Sequence, residues 1–143
     1  MSSHCLAPLA AAGPDAIIAD LRKNAGSDFK PPGMGFEAPL NDLVIHRRDM
    51  FLPLGITYES PPERVMNSLA MATKGGMAKM VNSVKVLNGL RCSASDIDWS
   101  WGDGQDISGP ALPLAHAPWG RNRSLGELSG PGVELLRARL AAR

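Results

Sequence analysis

The chain has 143 residues, enough for one ordinary domain or for two small ones that share part of a core, and too few for two full-sized domains. Hydrophobic residues make up 44% and charged residues 20%, close to the globular average, which excludes disorder throughout and a fibrous repeat. Fifteen Lys and Arg against fourteen Asp and Glu leave a formal net charge of +1, so nucleic acid and other polyanions are not expected partners.

Two cysteines, Cys5 and Cys92, lie far apart without a paired spacing, which suits two free thiols in a reducing compartment better than a disulfide framework. The apolar stretch Leu6 to Ala12 is short, lacks a basic flank and is interrupted by Pro8, so it fails as a secretory signal. No apolar run reaches the roughly 20 residues of a membrane-spanning helix. A soluble, cytoplasmic protein without membrane partners is the expectation.

A first helix is expected to open at Pro14, with Ile17, Ile18 and Leu21 on one face, and to stop near Gly26. Lys30 to Gly35, with two prolines and two glycines, reads as a loop. A second helix runs from about Phe36, using Leu40, Leu43, Val44, Met50 and Phe51, until Pro53 and Gly55 end it. Pro61 and Pro62 lead into a third, with Val65, Leu69 and Met66 on one face and Gly75 and Gly76 closing it. The stretch 77–88 has mixed periodicity and fits a short helix or an irregular connector. After Gly89 the pattern alternates, giving a strand, a turn at Gly102 to Gly104 and another strand around Asp106 to Ser108. Gly109 and Pro110 open a short helix limited by Pro113 and Pro118, and the residues after Gly132 form a C-terminal helix. The pattern contains no internal repeat.

The second helix carries the residues of chemical interest. Asp42 and His46 are four positions apart, so both side chains leave one face and can converge on an ion; a carboxylate with an imidazole suits zinc or a similar divalent metal. Taken alone, such a pair is also an ordinary feature of solvated helix faces. Asp49, three residues beyond His46, has two readings: an anchor that orients the imidazole, or, the favoured one, a partner for a nearby arginine or the following turn. Arg47 and Arg48 read as solvent-facing charges. His4 and His116 read as surface or packing histidines, and Trp99, Trp101 and Trp119 as aromatics packed over the sheet. There is no GxGxxG, Walker loop, GxSxG or HExxH pattern, so nucleotide binding and serine hydrolysis lack support.

Three segments, in order, carry a resemblance. The run from His46 through Asp49 to Pro53, Leu54 and Gly55 resembles the HxxDIxRPLG segment of the mycothiol-dependent maleylpyruvate isomerase family. Residues 89–104, GLRCSASDIDWSWGDG, are similar to its GLRLVATDxDWSHGDG stretch, and Leu128 to Val133 to its LTGPGV. The resemblance implies an α+β architecture: a DinB-like helical metal-binding domain, here partial, over 1–83, and a small α/β domain with a short antiparallel sheet over 84–143. It also implies a divalent metal, zinc, held by an early His, an acidic residue and a His four positions later. Asp42 and His46 match the last two.

The early His has no matching position here, and Asp42 stands where the isomerase type has Glu, one methylene longer. Under the resemblance the metal lowers the pKa of the mycothiol thiol for addition to a small electrophilic substrate, giving cis to trans isomerisation or thiol transfer. The rival expectation is a shortened, non-catalytic relative, or a small-molecule-binding module without a working metal. A bundle lacking its first helices leaves an apolar face, which favours a homodimer.

Overall fold

The structure is a computed structural model that describes residues 11–74 and 83–142. The chain forms two compact units, 1–30 and 31–143, divided within the Pro- and Gly-rich stretch 30–35. His4, Cys5, Gly75, Gly76 and the first part of the 77–88 stretch, up to residue 82, lie outside the described residues.

The first unit contains α1 (Pro14–Asn24). Pro14 takes a first-turn position after Gly13, whose φ of 87° redirects the chain. Asp15 in the first turn and Arg22 and Lys23 in the last complement the helix dipole. None of its residues is buried, and Ile17, Ile18 and Leu21 form an exposed apolar strip.

The second unit begins with α2 (Glu37–Phe51), extended by a 3-10 turn over Leu52–Leu54 and stopped at Gly55 in the left-handed region, φ 65°. Proline at 53 tightens the end of the helix and Gly55 accepts a conformation that costs other residues energy. α3 (Pro62–Thr73) packs against α2 and buries Val65, Leu69 and Ala72, and Asn67 Nδ2 donates to the Glu37 carbonyl at 3.0 Å. α4 (Ser83–Leu87) follows the undescribed stretch; Ser83 Oγ donates to the Ala72 carbonyl at 2.8 Å.

The sheet has three strands, β1 (Leu90–Ala94), β2 (Ser100–Trp101) and β3 (Gln105–Gly109), in the order β2-β1-β3. β1 and β2 are antiparallel with Cys92 opposite Trp101, whereas β1 and β3, the two strands read from sequence on either side of the turn, are parallel with Cys92 opposite Ile107, so the sheet is mixed. The turn at 102–104 therefore joins no hairpin. It carries the chain across the end of β1, where Gly102 (φ 82°) and Gly104 (φ 133°) lie against the Leu90 and Gly89 carbonyls and a Cβ at either would collide. Gln105 N donates to Gly89 O at 3.1 Å to start the parallel pairing.

α5 (Ala111–His116) is followed by 3-10 turns at Ala117–Trp119 and Asn122–Glu127, and α6 (Gly132–Ala141) closes the fold. Ser108 and Ser129 exchange two backbone hydrogen bonds of 2.8 Å, which seat the segment before α6 on β3. One apolar cluster joins Val65 and Leu69 of α3 to Leu90, Ile107, Leu125 and Leu136, with Trp99 and Trp101 packed against it. The architecture is α+β, with α1 to α4 preceding the sheet, and among the described residues no helix is long and apolar enough to cross a membrane.

Candidate functional site

The stretch of α2 from Asp42 to Asp49 gathers the polar groups. Asp42 and His46 lie on the exposed side of the helix, their side chains 76% and 58% accessible, with Nε2 of His46 4.0 Å from Oδ1 of Asp42. The other ring nitrogen, Nδ1, is 3.1 Å from Oδ2 of Asp49. A carboxylate only accepts, so the hydrogen of this contact resides on Nδ1, while Nε2 faces the Asp42 side. The HxxD spacing read from sequence thus does what its orienting reading required.

Asp49 also reaches across to the C-terminal half. Arg121 donates through Nη2 to Oδ2 at 2.9 Å and through Nε to both oxygens at 3.3 Å, and is itself fixed by Nη1 donating to the Trp119 carbonyl at 2.8 Å. The arginine partner of Asp49 is therefore 72 residues away in sequence, not Arg47 or Arg48. Burial alone would raise the Asp49 pKa; the hydrogen bonds and charge of Arg121, aided by His116 and His46, outweigh it and hold the carboxyl below its ordinary value.

His116, 2% exposed, packs beneath. Its Nε2 lies 3.1 Å from Asp49 Oδ1 and 3.2 Å from the Ile45 carbonyl, and its Nδ1 lies 2.9 Å from Ser124 Oγ. Two acceptors at Nε2 assign the hydrogen there, leaving Nδ1 to accept from the Ser124 hydroxyl. Burial pushes the imidazole pKa down, against the opposing pull of Ile45 O and Asp49, so the neutral ring is favoured. Asp49, His116 and Ser124 are the residue types of a nucleophilic triad, but Ser124 is fully buried and does not line the adjoining cavity. Its hydroxyl anchors the ring and is closed to a substrate.

That cavity holds about 380 Å³ and is lined by Asp49, His116, Arg121, Asn122 and Arg123, with Leu52 and Pro53 as its apolar wall. It is a size that admits a small molecule.

The sequence reading of Arg47 and Arg48 as solvent-facing charges needs correction. Arg48 is 8% exposed and pairs with Glu127, while Arg47 is half-buried, its guanidinium 5.3 Å from the Phe51 ring centroid and 4.2 Å from that of Tyr58. Both lie where helical periodicity points them, but the segments after Pro53 fold back over that side and turn a solvated face into an inner one. Helical phase does not say which neighbours arrive.

Asp42 and His46 suit a divalent ion in type and orientation, yet they are two donors where a catalytic zinc usually has three from protein. Among the described residues no group of three or more His, Cys, Asp or Glu side chains is arranged to hold an ion. The part-buried Arg121 tie and the contact of His116 with Ser124 were not legible in sequence, because nothing local marks the distant partners that meet there. Comparisons with protein-family models, curated proteins and solved structures give no match.

Proposed function

We propose that the chain serves the metal-assisted thiol chemistry of the mycothiol-dependent maleylpyruvate isomerase kind, as an isomerase or thiol transferase acting on a small electrophile. The observation that carries the reading is the His46 imidazole tied through Nδ1 to Asp49, with Nε2 and the Asp42 carboxylate exposed side by side. Asp42 and His46 hold the ion, zinc or a similar divalent metal, together with donors that the described residues of a single chain do not supply. The ion's part is to stabilise the mycothiol thiolate near neutral pH.

Asp49 links this pair to the cavity, since the same carboxylate orients His46 and lines the pocket. Arg121 neutralises Asp49, so Arg123 leaves the pocket with a surplus positive charge suited to a substrate carboxylate. Leu52 and Pro53 give the carbon skeleton an apolar wall. The second reading, a small-molecule binder without working metal, is favoured by the Asp49–His116–Arg121 tie, which joins α2 to the C-terminal segments whether or not an ion binds.

The test uses the purified full chain. Mass-spectrometric metal content, wild type beside His46→Ala, is paired with turnover of maleylpyruvate in the presence and absence of mycothiol. Zinc lost in the variant and turnover that needs the thiol are expected. Turnover absent from zinc-loaded wild type at every thiol concentration would leave the binding reading in its place.

A further inference from the structure

On an α-helical projection Asp42, His46, Pro39, Met50 and Leu43 fall within an arc of about 100°. Asp42 and His46 occupy one edge, and the exposed side chains of Leu43 (53%) and Met50 (58%) the other. Burying such a strip is favourable, and its position beside an incomplete donor pair limits what can usefully cover it. A second copy meets the requirement. In a two-fold contact the same patch faces itself, so one Asp42–His46 pair becomes two.

We propose that a divalent cation joins two copies of this chain through the α2 face, the ion being shared by Asp42 and His46 of each. This rests on the metal reading of the pair given above and names the source of the missing donors. Two imidazoles and two carboxylates are a donor set that zinc accepts in tetrahedral geometry. Each His46 brings its ring already oriented by Asp49, which removes part of the ordering cost of binding. Asp42, by contrast, has among the described residues only His46 beside it, at 4.0 Å. The two Asp42 carboxylates would be the less constrained donors, and the two imidazoles, each held by Asp49, the fixed ones. Leu43 and Met50 supply apolar area that an ion alone would not, and they set which face pairs.

The experiment is sedimentation and native mass spectrometry of the full chain, first stripped with EDTA, then titrated with zinc, for wild type, His46→Ala and Leu43→Glu. Expected are a stripped monomer and a zinc-loaded dimer with one ion per two chains, reversed by EDTA. His46→Ala stays monomeric with its circular dichroism unchanged, as an exposed side chain allows. Leu43→Glu keeps both donors and needs about tenfold more zinc, or higher still, to dimerise. One zinc per monomeric chain, lost in His46→Ala, would overturn the sharing and leave the metal reading intact. A dimer of equal strength in EDTA would also overturn it. No zinc bound by wild type would sink both.

Discussion

The Asp49 carboxylate meets His46, His116 and Arg121, and the shifted titrations of Asp49 and His116 make the stability of this region depend on pH. His116 is held below the 6.5 of an unperturbed imidazole by burial. Above that pH both folded and unfolded chains carry a neutral ring. As the pH falls through it, the unfolded chain takes up a proton first, so stability declines until the folded ring titrates as well. Asp49, lowered from 3.8, adds a second loss in more acid solution, as the pH falls through its folded value. Denaturant unfolding of wild type should therefore show stability falling below about pH 6.5, and His116→Gln should remove the first part of that slope. The same variant is expected to cost about 1–3 kcal/mol at roughly pH 8, since Ser124 and Ile45 O lose their ring partner. An unaltered slope in the variant would assign the titration elsewhere. Cys92, 3% exposed, has its thiol pushed up to about 11 by burial. Thiol reagents at about pH 8 should label it only after unfolding, which peptide mapping after a labelling time course would read.

Among the secondary elements, the sheet is the informative outcome. Alternation in the sequence marks β1 and β3 correctly as strands, and the glycines mark a turn between β2 and β3. Alternation does not specify a partner, and the parallel pairing of β1 with β3 is chosen by burial: Leu90 and Ile107, both 0% exposed, belong to the same apolar cluster. Ile107→Ala should cost about 2–5 kcal/mol, read from the denaturation midpoint at unchanged slope. A loss under about 1 kcal/mol would place Ile107 outside the core. The segment before α6 makes a second case. Gly130 has φ 107° and lies against the Asp106 carbonyl, so a methyl group there meets backbone in a conformation alanine resists. Gly130→Ala is expected to destabilise by about 1–3 kcal/mol, and a neutral effect by the same assay would mean the segment can shift off β3. The helices α1 and α3 were legible because Pro at their starts acts locally, through backbone geometry, and α2 because Pro53 and Gly55 act in the same way at its end.

For the second unit taken together, the apolar cluster decides what stands as one body. Val65 and Leu69 come from the helical part, while Leu90, Ile107 and Leu136 come from the sheet part, and they form one core. The isolated stretch 84–143 lacks the first two and should be less stable than the same region in the full chain. Proteolysis or amide exchange of the two would show it, and equal protection would argue that the sheet part stands by itself.

Local patterning in the chain was enough to mark most of the helices and strands, and to put Asp42, His46 and Asp49 on neighbouring turns of one helix. These follow from covalent geometry and from periods of about 3.6 and 2 residues, which act over a few positions. Folding in three dimensions was needed to bring Arg121 and His116 onto Asp49, to bury Arg48 against Glu127, and to run β3 parallel to β1. Each depends on which surfaces of a collapsed chain exclude water together, a choice made between residues far apart in sequence that no local pattern encodes.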